Sequence, residues 1–100
     1  MPTNTEFELY DEVETKYPKK YKVFLLNDDY TSMDFVIDIL MSIFHKSYED
    51  AQKIMLEVHE NDKGLCGVYS FEVAETKVMQ VKRKAKDNGF PLKALLEEEE

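Results

Sequence analysis

The chain has a single cysteine, Cys66, among its 100 residues. A lone thiol excludes an intramolecular disulfide and a multi-cysteine zinc site, and gives no reason to place the chain in an oxidising compartment. Between Leu65 and Gly67 it reads as a small buried side chain. Long apolar runs are also missing: nothing approaches the ~18 residues of a membrane span. The opening MPTNTEFELYDEVETKYPKK lacks the basic region followed by an apolar stretch that marks a signal peptide. These absences predict a soluble, cytoplasmic protein. Cations are scarce as well. Thirteen Lys and Arg stand against 21 Asp and Glu, a formal charge of -8, which repels nucleic acid and anionic lipid. A partner bearing a cationic group suits this chain better.

Catalytic and metal signatures are absent too. Asp28, Asp29, Asp34 and Asp38 lack the central Gly and terminal Glu of a calcium loop. His45 and His59 share no zinc-ligand spacing. Neither Cys66 nor any serine lies in a recognisable nucleophile motif. The expectation is therefore no metal, no cofactor and no catalytic residue.

With 43% hydrophobic residues, a chain of this length builds one domain around one modest core. Residues 1–19, acidic and without apolar period, read as a flexible extension. YKVFLL, residues 21–26, is a strand rich in β-branched and aromatic side chains. Met33, Val36, Ile37, Leu40, Ile43 and Phe44 recur at helical spacing, so a helix is expected from Met33 to about Phe44. Ser47 opens a second helix, with Asp50 at the spacing of a capping box. Its face carries Tyr48, Ala51, Ile54, Met55 and Val58, with His59 one turn beyond Met55. Gly64 is read as its stop.

LCGVYSF, residues 65–71, is a second strand. Ser70 caps a third helix with Ala74, Val78, Val81 and Ala85 inside, and Gly89 ends it. Glu72 and Glu75 near its start and Lys82, Arg83, Lys84 and Lys86 near its end suit the helix dipole. FPLKALL, residues 90–96, is a third extended segment, and Glu97–Glu100 reads as a solvated tail. The order strand, helix, helix, strand, helix, strand gives an α+β fold, with three helices on a small antiparallel sheet. No internal repeat is found.

Between the first strand and the first helix the chain spends Asn27, Asp28 and Asp29 on small polar side chains. Turn chemistry accounts for them. So does a binding site, in which acceptors in the turn stand above an apolar hole flanked by the Met55, Val58 and His59 face.

Taken together, YKVFLLNDDYTSMDFVIDIL, VHENDKGLCGVYSFEVAETK and FPLKALLE resemble ClpS, the bacterial Clp protease adaptor family that recognises N-degrons. The similarity covers about residues 20–97, leaving 98–100 as an acidic tail. It implies three helices on a three-stranded antiparallel sheet. It also implies substrates that begin with Leu, Phe, Tyr or Trp and carry a free α-amino group. By matching motifs, Asn27, Asp28 and His59 would surround the amine. Asp29, Thr31, Met33, Val36, Met55, Val58 and Leu92 would line the side-chain pocket, Met33 as a gate against β-branched residues. Glu72, Thr76 and Lys77 match the surface that docks on the N-terminal domain of the ClpA unfoldase, which works with the ClpP peptidase. The first 19 residues match the extension that engages the unfoldase at hand-over.

Ser32 stands where the family often has proline, which implies a less rigid turn, and Asp34 replaces a common Glu. The implied state is a monomeric, non-enzymatic adaptor. The alternative is a small acidic regulator that binds a partner through the third helix and leaves the Asn-Asp turn purely structural.

Overall fold

The computed structural model describes residues 18–100. Strand β1 runs Tyr21–Leu26, helix α1 Met33–Ser42, helix α2 Tyr48–Asn61, strand β2 Lys63–Tyr69, helix α3 Phe71–Asp87 and strand β3 Lys93–Glu98. The strands form one antiparallel sheet in the order β2-β1-β3, so β1 is central and buries Val23 and Leu25 completely. The three helices and three strands follow the order expected from the sequence. The extension read over 1–19 lies, up to Tyr17, outside the described residues.

Each helix begins at a serine whose hydroxyl accepts a backbone N–H in the first turn: Ser32 from Phe35 at 3.1 Å, Ser47 from Asp50 at 3.1 Å, and Ser70 from Val73 at 3.4 Å. Such caps satisfy donors that a helix leaves orphaned at its start. The inner face of α1 supplies Phe35, Val36, Ile39 and Leu40; Ala51, Met55 and Val58 come from α2, and Ala74, Val81 and Ala85 from α3. Phe35 also stacks on Phe90, with ring centroids 4.7 Å apart.

Four boundaries differ from the sequence reading. Strand β2 runs Lys63–Tyr69, two residues earlier at each end than the expected 65–71, because Ser70 is the N-cap of α3 and Phe71 its first residue. Helix α2 stops at Asp62, which adopts the left-handed conformation at φ 68°, and not at Gly64. Gly64 lies inside β2, where a Cβ would come within 2.7 Å of Val58 Cγ2 and 3.1 Å of the Ile54 carbonyl oxygen. Glycine is needed there so that the strand can pass close under α2.

The third strand starts at Lys93 instead of Phe90 and ends at Glu98 instead of Leu96. Phe90, Pro91 and Leu92 lead into it, and Glu97 and Glu98 belong to it, paired with Lys22 and Tyr21. The glutamate run is thus partly strand, tied by Lys63 to Glu97 at 3.3 Å and by Lys19 to Glu98 at 3.0 Å. The first helix ends at Ser42 with Ile43 as its cap, slightly short of Phe44.

The β1–β2 register slips between Val23 and Phe24, which face Gly67 and Leu65. Cys66 is the extra residue of this bulge. It is fully buried, and burial pushes its thiol up to about 12. No helix among the described residues is long and apolar enough to cross a membrane.

Candidate functional site

The loop from β1 to α1 is built by Asp28. Its Oδ1 accepts the backbone N–H groups of Tyr30 at 2.8 Å and Thr31 at 2.7 Å, and its Oδ2 accepts the Thr31 hydroxyl at 2.7 Å. Burial works to raise the carboxyl's pKa, yet the three bonds together hold it below the ordinary carboxylate value. A carboxylate oxygen has about two acceptor positions. Oδ1 is therefore full, and Oδ2 keeps one position for a ligand or a bridging water. Asp28 thus makes the turn and retains acceptor capacity. Ser32 follows as the N-cap of α1, so the turn that lacks proline is anchored by a hydrogen bond instead.

A second bond positions the turn in space. The Asn27 N–H donates to the Asp62 carbonyl at 2.8 Å. Asp62 caps α2, and His59 occupies the last turn of that helix. The bond therefore brings the polar turn beside His59.

Between them lies a cavity of about 280 Å³ lined by Asn27, Asp28, Asp29, Thr31, Met33, Val36, Met55, Val58 and His59. Val36, Met55 and Val58 are buried and form its apolar part. Asn27, Asp29 and His59 are exposed at its edge. Met33, the first residue of α1, is 53% exposed and lines the opening. The volume sits at the small end of ligand pockets, roughly 300–1,000 Å³. One large side chain and its polar end fit this space better than a cofactor. Among the described residues no group of three or more His, Cys, Asp or Glu is arranged to hold a metal ion.

The remaining candidate residues lie elsewhere. Leu92 does not line this cavity; it is buried in the core and borders a different hollow between α3 and β3. Glu72 is exposed, and its carbonyl accepts the exposed Thr76 hydroxyl at 2.9 Å. Lys77 is half-buried instead of free on the surface. Its ammonium donates to the Ile43 carbonyl at 2.6 Å and sits 5.9 Å from the centre of the Tyr69 ring, a cation at the C-terminal end of α1 where the helix dipole favours one. The sequence reading did not anticipate the adjoining hollow of about 380 Å³, where Leu26, Tyr30, Pro91 and Lys93 meet the same Asn27, Asp28 and Asp29. Tyr30, 80% exposed, was its one visible signal: a large aromatic placed in a polar turn.

Comparison with known proteins identifies the family. Residues 16–95 match the family model described as ATP-dependent Clp protease adaptor protein ClpS. The ATP-dependent Clp protease adapter protein ClpS of Wolinella succinogenes is 53% identical over 93 residues, covering 93% of this chain and 91% of its own. That of Campylobacter jejuni is 56% identical over 82 residues, 82% of this chain and 85% of its own. Among solved structures, Agrobacterium tumefaciens ClpS2 bound to L-phenylalaninamide superposes with a TM-score of 0.81 at 37% identity, covering 83% of this chain and all of that one. Sequence match over four-fifths of the chain and a shared fold lead to one conclusion: the chain belongs to the ClpS family of Clp protease adaptors.

Proposed function

We propose that this adaptor reads the first residue of a protein. The carrying observation is the single cavity that joins acceptors at Asn27, Asp28 and His59 to an apolar interior of Val36, Met55 and Val58. An α-amino group, with an ordinary pKa near ~8, is mostly a cation with three donors at neutral pH. The Asn27 side-chain oxygen, the free position on Asp28 Oδ2 and an unprotonated His59 nitrogen are the acceptors it needs, directly or through water. Internal residues have no such amine, so a free terminus is required.

The interior selects the side chain. Burying Leu or Phe contributes roughly 1.5–3 kcal/mol, enough to favour large apolar first residues over Ala or Ser by at least about tenfold. Met33 and Met55 suit a pocket for both branched and aromatic shapes, because thioethers bend and polarise readily. The phenylalaninamide carried by the Agrobacterium relative has this chemistry, a large apolar side chain beside a free amine.

On this reading the chain acts as an N-degron adaptor in the cytoplasm, as a monomer that cleaves nothing itself. It passes substrates to a ClpA-type unfoldase and ClpP, with Glu72, Thr76 and Lys77 at the docking surface and residues 1–19 assisting hand-over. A reconstituted degradation assay tests the whole proposal. With ClpA, ClpP and ATP, adding the chain should speed loss of a Leu-starting reporter and leave its Met-starting twin unchanged. Equal effects on both reporters, or none, would overturn it.

A further inference from the structure

Val78, Ala85, Phe90, Leu92 and Ala94 line a second cavity of about 520 Å³ between α3 and the approach to β3, together with Lys82, Lys86 and Lys93. An adjoining hollow of about 460 Å³ adds Met79 and Arg83 beside the same Lys82 and Lys86. These four cations form no ion pair with another described residue, unlike Lys19, Lys53, Lys63 and Lys84. An apolar groove rimmed by cations that no described residue pairs is unexpected on a chain of net charge -8. Its occupant should be acidic and apolar at once.

The chain carries such a segment. Residues 6–14, EFELYDEVE, interleave Glu6, Glu8, Asp11, Glu12 and Glu14 with Phe7, Leu9, Tyr10 and Val13. We propose that residues 6–14 dock in the groove between α3 and β3, their apolar side chains against Val78, Phe90 and Leu92 and their carboxylates against Lys82, Lys86 and Lys93. The groove shares no residue with the cavity lined by His59, so this inference stands independently of N-terminal residue recognition.

The reach is sufficient. Lys19 is held to Glu98 at 3.0 Å, at the far end of β3 from the groove. Five steps of strand, about 17 Å at ~3.4 Å each, separate Glu98 from Lys93. Glu14 precedes Lys19 by the same five residues, so an extended chain running back along β3 delivers Glu14 to Lys93. This path follows the outer edge of the sheet, since β3 is an edge strand. Tethering also lowers the affinity required. A short linker holds its segment at an effective concentration on the order of mM, so a contact too weak to detect between separate molecules still occupies the groove. Exposed charges make it salt-dependent.

Paramagnetic relaxation tests this on the full chain. A nitroxide attached at Thr5→Cys labels one site, because Cys66 is fully buried. The expected result is loss of amide intensity at Val78, Lys86, Leu92 and Ala94, abolished by Lys82→Glu with Lys86→Glu and reduced at high salt. Uniform or absent broadening would overturn the proposal, as would broadening that survives the double charge reversal. A mixture of spin-labelled, isotopically silent chain with unlabelled ¹⁵N chain separates the remaining case. Broadening of the ¹⁵N chain there would assign the groove to a second copy and overturn docking within one chain.

Discussion

The backbone N–H of Asn27 donates to the Asp62 carbonyl at 2.8 Å, fastening the end of β1 to the end of α2. The polar turn and His59 share a cavity because of this fastening, and it depends on β2 passing close beneath α2 at Gly64. A Cβ at that position meets Val58 Cγ2 at 2.7 Å. Gly64→Ala is expected to cost about 1–3 kcal/mol by overpacking and to weaken peptide binding with it, since Val58 lines the cavity. Urea denaturation and peptide titration check both; an unchanged midpoint with unchanged affinity would contradict the close-packing account.

Asp28 organises the loop through three hydrogen bonds. Asp28→Ala should lose about 0.5–2 kcal/mol, the scale of a lost cap, and Asp28→Asn less, because one acceptor oxygen remains. The carboxyl's pKa is lowered in the folded chain. A depressed folded value means that its stabilisation is present above the unfolded value near ~3.9 and fades as pH falls through the folded one. The gap between wild type and Asp28→Ala in urea should therefore hold at neutral pH and narrow below about pH 4. A gap that stays constant in acid would contradict the ionised turn.

His59 is exposed at the cavity edge, so His59→Ala should leave the unfolding midpoint unchanged while weakening capture of a free amine. A His59→Ala chain that binds the free-amine peptide as tightly as the wild type would remove His59 as an acceptor.

Met33 stands 53% exposed at the mouth. Shortening it to alanine should open space next to the first residue's Cβ and admit Val- and Ile-starting peptides, which the wild type is expected to reject. If the Met33→Ala chain keeps full wild-type selectivity in competition binding, Met33 is no gate.

Lys77 and Glu72 separate folding from docking. Lys77→Ala removes the ammonium from the Ile43 carbonyl and should cost about 1 kcal/mol as a lost charge at a helix end. Glu72→Ala, on an exposed side chain, should stay within about 0.5 kcal/mol of wild type. If both serve the unfoldase, Glu72→Ala will slow ClpA-dependent degradation without changing stability. Normal degradation by the Glu72 variant would take Glu72 out of the docking surface.

Local signals made most elements readable. The spacing of Val36, Leu40, Ala51, Met55, Val58, Ala74, Val81 and Ala85 and the capping serines Ser47 and Ser70 reflect the helix period and its orphan donors, both of which act within a few residues. What escaped depends on contacts between distant parts of the chain. Gly64 resembles a helix stop until α2 is seen lying over it. The start of β3 is set by pairing with the distant strand β1, where Lys93 faces Leu26. Lys77 looks solvent-facing on a helical wheel, yet it reaches Ile43, 34 residues back. For the site, Asn27, Asp28 and His59 carried chemistry visible in their residue types. Their convergence on one cavity needed the Asn27–Asp62 bond, which is made by backbone and leaves no trace in side-chain identity.

Fluorescence anisotropy with two peptides tests first-residue recognition most directly: a labelled Leu-starting peptide and the same peptide acetylated at its α-amine. Tight binding of the free amine and none of the acetylated form is the expected result. Equal binding of both, or of neither, would contradict it and leave the cavity between Asn27 and His59 without its proposed ligand.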